Sequence, residues 1–171
     1  RVNVKIKGIE KVTSSINNEI KKLGRNTRLA MLRAGRLVKE RSASITPVDT
    51  GNLRDSAFIV FGGGFENKTK VPAQVVATNT FNTDKKEGKR VAREHQSVIG
   101  SYKISSKIPF AIIGHSAFYA LKVHEDLQAN HVKVFKEGGV TTFGQMGQAK
   151  FLEQALLQSQ REILEIIKKE I

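Results

Sequence analysis

The chain has 171 residues, of which 39% are hydrophobic and 26% are charged, a composition that suits one domain with one hydrophobic core. It contains no cysteine, which excludes disulfides, thiolate catalysis and cysteine-ligated zinc. Its formal net charge of +13 implies a polyanionic neighbour, either nucleic acid or an acidic protein surface, unless the charge belongs to a solvated helix face.

The N-terminal segment is patterned mainly as helix. Alternation over residues 2–7 predicts a short strand, and apolar residues spaced by three and four predict a helix over residues 9–23. A break is expected at residues 23–26, followed by a second helix over residues 27–44. Leu29 and Leu32 lie on a second apolar face of that helix, which favours either a second core contact or a subunit contact.

The positive charge is concentrated in the same region, since residues 1–41 hold twelve Lys or Arg and three Glu. We therefore expect a contact with DNA or with an acidic partner, and the candidate residues are Lys21, Lys22, Arg25, Arg28, Arg33 and Arg36. No apolar run approaches the roughly 18 residues that span a bilayer, and no segment resembles a secretory signal. The sequence thus predicts a soluble intracellular protein with no membrane contact.

The stretch ITPVDTGNLRDS, residues 45–56, predicts the end of the long helix and a chain reversal. Pro47 keeps Thr46 out of helical angles, so the helix must end near residue 45. Asn52 or Thr50 is expected to cap the short turn that follows, and Gly51 tolerates positive φ. The residues that we expect to build this turn are Pro47, Asp49, Thr50, Gly51 and Leu53.

The middle of the chain predicts strands separated by loops. Residues 57–64 predict a strand that leads into a glycine loop, with Phe58, Val60 and Phe65 in the core. Further strands are predicted near residues 71–80, 97–104 and 108–114, and a short helix at residues 115–128. The charge-dense segment 82–96 and the glycine-punctuated segment 127–148 are predicted to be flexible loops.

The C-terminal segment predicts a helix of about twenty residues with two apolar stripes. The main stripe, which we expect to dock on the core, consists of Leu152, Ala155, Leu156, Ile163, Ile166 and Ile167. Leu157, Leu164 and Ile171 recur every seven residues on another side, a spacing typical of helix packing within or between chains. The whole pattern predicts a single α+β domain over residues 1–171, in which a largely antiparallel sheet is packed by long N-terminal and C-terminal helices.

The sequence offers little catalytic chemistry. His124, Glu125 and His131 form the only histidine cluster, but their spacing differs from that of a zincin helix, so we predict a polar contact at a helix end. Neither a Walker loop nor a GxGxxG fingerprint is present. The Asp49–Gly51 triplet occurs in aspartic proteases, but a basic helix precedes it where a strand would be needed. We therefore expect no catalytic residue, no cofactor and no metal.

Three blocks of sequence carry a resemblance to a known family. They are TPVDTGNLRDS at residues 46–56, YALKVHE at residues 119–125 and AKFLEQAL at residues 149–156. Their order and separation resemble the gene-product-ten-like tail-component family of tailed bacteriophages. The segments 82–96 and 126–147 are longer here than in the commoner family form, which leaves the exact position in the particle open.

The resemblance implies a non-enzymatic virion protein of the phage neck, made in the host cytoplasm, whose oligomeric ring joins the DNA-filled head to the tail. It implies a hexamer or a dodecamer whose neighbours are the portal and adaptor or stopper on one side and the tail terminator and tail tube on the other. The residues expected at subunit or partner contacts are Leu29, Leu32, Tyr119, His124, Glu125, Phe151, Leu157 and Leu164. The alternative from a different class is a basic DNA-binding or architectural protein, although the chain has few aromatic residues for base stacking.

Overall fold

The computed structural model describes residues 9–66, 69–78, 80–129, 132–137, 140–145 and 147–171. The helices in these ranges are α1 (Ile9–Ile45), α2 (Asn52–Asp55), α3 (Lys86–Ser101), α4 (Ala120–Glu125) and α5 (Phe151–Glu170). The strands are β1 (Ala57–Gly62), β2 (Phe65–Glu66), β3 (Thr69–Pro72), β4 (Gln74–Ala77), β5 (Ser105–Ser106), β6 (Phe110–His115), β7 (Val132–Glu137) and β8 (Val140–Gln145).

Helix α1 is one continuous helix of 37 residues, so the break predicted at residues 23–26 is wrong. Gly24 lies within the predicted break, but glycine inside a helix costs only about 1 kcal/mol relative to alanine. The hydroxyl of Thr27 donates to the Leu23 carbonyl at 2.8 Å, and the helix continues past both residues. The helix ends at Ile45, as predicted from Pro47. The hydroxyl of Thr46 then donates to the Ser42 carbonyl at 2.7 Å, which satisfies one of the last carbonyls.

The main sheet has the strand order β4-β1-β6, and both pairings are antiparallel. Every residue of the central strand β1 is buried, which confirms Phe58 and Val60 as core residues. Ile59 faces α1, where a methyl group on Gly35 would lie 3.0 Å from Ile59 Cγ2. The absence of that methyl group lets the helix approach the sheet closely. The side chain of Phe65 lies outside the described residues.

Helix α3 replaces most of the predicted loop at residues 82–96, and that prediction is wrong from Lys86 onward. The charged residues of this segment lie mainly on the solvent side, while Val91 and His95 are fully buried. Within this helix, position 88 has to be glycine, because a methyl group there would lie 1.6 Å from the Asn82 carbonyl oxygen. On the face of β1 opposite Ile59, the ring of Phe58 lies 6.5 Å from the ring of His95.

Two further sequence predictions need correction. Residues 97–101 end α3 and do not begin a strand, so the strand predicted at 97–104 is wrong there. The loop predicted at 127–148 contains the antiparallel hairpin of β7 and β8, in which Val132 is opposite Gln145. Residues 2–7, which were predicted as a strand, lie outside the described residues.

Helix α5 packs antiparallel along the C-terminal half of α1. The guanidinium of Arg41 donates to the Gln158 carbonyl and the Ser159 hydroxyl, each at 2.9 Å, and to a Glu162 carboxylate oxygen at 2.8 Å. Nearer the end of α5, Arg33 forms an ion pair with Glu170. Ala155 of the predicted main stripe is fully buried and Leu156 is exposed, so the prediction for Leu156 is wrong.

The architecture is a single α+β domain, as predicted. Helix α1 covers one face of the antiparallel sheet and contacts both β1 and β6, and α5 lies along α1. No helix in the described ranges is long and apolar enough to cross a membrane.

Candidate functional site

The three sequence blocks at residues 46–56, 119–125 and 149–156 meet in one buried cluster, which we call the three-block junction. Leu53 comes from the first block, Ala120 from the second and Phe151 from the third, and all three are buried. Val91 of α3 and Ala117 complete the cluster. The partly buried residues packed around it are Ile45, Phe81, Tyr119, Val123 and Leu152.

Phe151 occupies the junction between two imidazole rings. It is only 1% exposed, and its ring meets those of His115 and His124 edge-on, with centroids 5.0 Å and 4.9 Å away. We predicted Phe151 as a partner contact, and its burial shows instead that it belongs to the core of its own chain. An aromatic side chain buried in this way contributes several kcal/mol to folding, about 3–5 kcal/mol by the usual truncation to alanine.

The sequence predicted only some of the interactions that hold the turn at residues 46–56. Gly51 adopts φ 84°, as expected, and its carbonyl accepts a bond from the Asp55 amide at 2.9 Å. The predicted cap by Asn52 or Thr50 is wrong, because Gly51 is the N-terminal cap of α2 and no side chain bonds there. Asn52 instead accepts a bond from the Asn82 amide at 2.8 Å and donates to the Asn82 carbonyl at 3.2 Å.

Asn52 thus ties the turn to the segment that leads into α3, a role that the sequence did not reveal. Asp49, which we expected to help build the turn, is exposed, while Pro47 and Thr50 are half-buried. The turn therefore depends on Gly51, Asn52 and Leu53 more than on the Asp-Thr pair.

The chain approaches the turn closely a second time just before α5. Gly147 has φ 120°, and a methyl group on it would lie 2.4 Å from the Pro47 nitrogen. The next residue, Gln148, donates its amide to the Ile45 carbonyl at 2.9 Å, which satisfies a carbonyl at the end of α1. Only glycine fits this approach, since a side chain would meet the backbone of the turn.

His124, Glu125 and Lys150 form a polar cluster at the end of α4, as predicted for His124 and Glu125; Glu125 is exposed, and the other two are half-buried. One Glu125 carboxylate oxygen lies 2.5 Å from Lys150 Nζ and the other lies 2.7 Å from His124 Nδ1. The hydrogen bond from Lys150 and the one from His124 lower the pKa of Glu125, and Glu125 in turn raises the pKa of Lys150. The Lys150 amide also donates to the His124 carbonyl at 2.7 Å.

The structure describes only part of the histidine cluster. His131, the third member of the histidine cluster, lies outside the described residues. Among the residues that are described, no three His, Asp or Glu side chains come together in a way that could hold a metal ion.

Two buried serine–histidine pairs flank the junction, and the sequence pattern gave no sign of either. Ser116 Oγ lies 2.6 Å from His95 Nδ1. His115 Nδ1 donates to the Leu53 carbonyl at 3.0 Å, so its Nε2 accepts from the Ser42 hydroxyl at 3.3 Å, an assignment made from the hydrogen-bond network. Ser42 and Ser116 are both buried, and their hydroxyls connect α1 and the segment after β6 to the two histidines.

Burial sets the charge of both histidines. It lowers the pKa of His95 and of His115, because an imidazolium loses its hydration in the core. Lys39 on α1 acts in the same direction for both rings. We therefore treat both histidines as neutral in the folded protein at neutral pH.

The predicted surface contacts are distributed over both long helices. Leu29, Leu157 and Leu164 are exposed, as a contact with another chain requires, whereas Leu32 is half-buried. Tyr119 packs on the junction, and burial together with the nearby Glu87 raises the pKa of its hydroxyl.

The six candidate basic residues lie on one side of α1. At about 100° per residue they fall within an arc of about 140° that faces away from the apolar stripe of the helix. Within this set Lys22, Arg25, Arg33 and Arg36 are exposed, while Lys21 and Arg28 are half-buried. Arg33 is also paired with Glu170, so part of this face serves the α1–α5 contact.

Comparison with known proteins adds no relative: no family model matches the sequence, and neither curated proteins nor solved structures give a significant match.

The close approach at Gly147 gives the first prediction. Gly147→Ala should lower the free energy of unfolding by at least about 2 kcal/mol, because the residue has positive φ and its new methyl group would meet the backbone of Pro47. The change in the free energy of unfolding can be measured by urea denaturation, with circular dichroism as the signal. Gly100→Ala is the matched control: it lies in α3 with no atom within 4 Å of the added methyl group, and should stabilise by about 0.5–1 kcal/mol. Equal effects of the two substitutions would contradict the account of the turn.

We predict that His95 and His115 make the folded protein less stable in mild acid. Their unfolded pKa is near 6.5 and their folded pKa is lower, so the unfolded chain binds more protons as pH falls below 6.5. The free energy of unfolding should thus decrease from about pH 6.5 downward and be independent of these groups above about pH 7.5. The double variant His95→Gln/His115→Gln should show a shallower slope in denaturant titrations over this window. An unchanged slope would mean that neither histidine is kept neutral by folding.

Proposed function

We propose that this chain is a non-enzymatic structural protein of the phage neck, which forms an oligomeric ring between the DNA-filled head and the tail and completes the tail joint. The neighbours would be the portal and adaptor or stopper on the head side and the tail terminator or tail tube on the other. A hexamer matches the sixfold symmetry of tails, and a dodecamer is the alternative. The protein would be made in the host cytoplasm and reside in the virion.

The observation that carries this proposal is the three-block junction. The blocks that resemble the tail-component family are separated by 62 and by 23 residues along the chain, yet they meet around Phe151. Each block supplies a buried residue to the same cluster, so the shared pattern has a physical reason: it builds one core.

The surfaces of the molecule suit a subunit of an assembly. Leu157, Leu164 and Ile171 form an exposed stripe on α5, and large apolar side chains aligned on one helix face are typical of a contact with another chain. The hairpin of β7 and β8 offers a second contact. Its strands pair with each other and with no further strand in the described residues, and such two-stranded hairpins gain stability by docking on a partner.

We consider two roles for the basic face of α1. It would either contact DNA phosphates in the channel or dock on an acidic rim of the adjacent ring. We favour docking, because DNA must slide through the neck during infection and strong attraction to the channel wall would hinder that movement.

The second candidate is a basic DNA-binding or architectural protein. The exposed residues Lys22, Arg25 and Arg36 on one face of α1 favour it, since they could neutralise phosphates without reading sequence. This alternative leaves the exposed leucine stripe on α5 without a role.

Electron microscopy of a phage with a nonsense codon in this gene tests the proposal. The lysate should contain separate full heads and finished tails, because the joint lacks one ring, and joined particles should return when the intact gene is supplied in trans. Mass spectrometry of the rescued virions should detect the protein.

Growth of the same mutant in a suppressor host is the matched control. Joined particles without complementation, together with altered gene expression or DNA packaging, would contradict the neck proposal and support the DNA-binding alternative. Duplex DNA binding by the purified protein that persists at physiological salt would argue against docking as the role of the basic face.

A further inference from the structure

The first half of α1 presents an apolar stripe that nothing in the described part of the chain covers. We call residues 11–23 of α1 the arm; residues 11–20 are all exposed. Val12, Ile16, Ile20 and Leu23 recur every three or four residues, and their side chains are 59%, 54%, 48% and 49% exposed. At 100° per residue they fall on the same side of α1 as Ala30, Ala34 and Val38, which are buried against the body of the protein.

The geometry of α5 prevents the described chain from covering this stripe. Helix α5 runs antiparallel to α1, and the ion pair between Arg33 and Glu170 places its C-terminal end level with Arg33. The nearest stripe residue, Leu23, lies about 15 Å further along α1, at roughly 1.5 Å per residue. The glycine turn after β1 lies beside Gly24 and Arg28, at the C-terminal end of the arm.

The arm has a low intrinsic tendency to be helical. Thr13, Ser14, Ser15, Asn17 and Asn18 are all weak helix formers. Most of the stability of a helix in a protein comes from packing of its apolar face, so a contact along the stripe would stabilise this end of α1. The stripe and the composition together indicate a helix that is completed by another molecule.

We propose that the arm of one subunit packs its stripe against the outer stripe of α5, formed by Leu157, Leu164 and Ile171, on a second copy of this chain. The two stripes have similar lengths, about 17 Å for the arm and about 21 Å for α5. The three residues of the α5 stripe are 51%, 57% and 62% exposed, so the acceptor surface is bare in the single chain.

Charge favours this pairing over contact between two arms. The arm carries Lys11, Lys21 and Lys22 against Glu19, so two arms would repel each other. On α5 the stripe is flanked by both signs of charge: Glu153, Arg161, Glu165 and Lys168. Lysines of the arm would therefore find two carboxylates beside the α5 stripe, Glu153 and Glu165, whereas another arm offers only Glu19 together with three further lysines.

The pairing joins two different surfaces of the same chain. Such a head-to-tail contact repeats from subunit to subunit and closes into a ring when the rotation allows it. This inference deepens the proposed neck function, on which it rests, by naming the surfaces that would link neighbouring subunits.

Cysteine cross-linking tests the contact directly, because the natural chain has no cysteine. Ile16→Cys and Leu164→Cys would be combined in one chain and treated with a short bismaleimide, both in the concentrated purified protein and in virions rescued by this variant. We expect a ladder of covalent oligomers from the double variant and loss of that ladder from either single variant. Dimers from Ile16→Cys alone would overturn the proposal in favour of contact between arms.

A charge substitution provides the second measurement. Ile20→Asp in the double-cysteine chain should abolish the ladder, whereas Leu121→Asp, at a 73% exposed position on α4 outside both stripes, should leave it intact. Thermal melting checks that both variants fold. The proposed contact is overturned if no ladder forms in either the purified protein or the rescued virions. The same gel shows whether the protein is present in the virions. A neck protein without this contact is thereby distinguished from a protein that is not in the neck.

Discussion

The burial of Phe151 is the interaction on which the rest of the structure depends. Its ring fixes the first turn of α5 against the reversal that follows α1, between His115 and His124. Once that end is fixed, α5 can only run back along α1, and Arg41 and Arg33 hold it in register. The length of α5 then determines how much of α1 is covered. The arm remains bare because α5 ends level with Arg33.

Much of this arrangement could be predicted from local signals. Pro47 marked the end of α1, the β-branched and aromatic run at residues 57–62 marked the central strand, and the apolar spacing marked α5. These signals work because proline geometry and hydrophobic period act within a few residues. The positive φ of Gly51 follows from the same kind of local rule.

Other features were missed because competing signals were stronger. In α3 the high charge and Gly88 favoured a loop, although Val91, His95 and Val98 recur at helical spacing and could have revealed the helix. The Gly138-Gly139 pair between two alternating segments is a hairpin signal that was taken for a loop.

The contacts between distant segments could not be predicted from local patterns at all. The bonds between Asn52 and Asn82, the fit of Gly147 on Pro47 and the pairs of His95 and His115 with serines join positions far apart in sequence. Phe151 was misassigned to a partner contact for the same reason, since a conspicuous aromatic residue gives no indication of which chain buries it.

The polar groups of the site form contacts within the chain. Carbonyls at the end of α1 accept bonds from Thr46 and Gln148, and Glu125 binds Lys150 and His124. Among the described residues, many of the exposed large apolar side chains lie on the two long helices. A rigid core with bare helical stripes is what a subunit that joins its neighbours through helices requires, and it motivates both proposals made above.

Hydrogen–deuterium exchange of Phe151→Leu against the natural chain tests the central role of Phe151 most directly. If Phe151 anchors α5, protection should fall together in α5, in α4 and in the turn at residues 46–56, while the exchange of residues 11–23 should not change. Loss of protection in α5 alone, with the turn and α4 unaffected, would show that the junction is not the anchor of this fold.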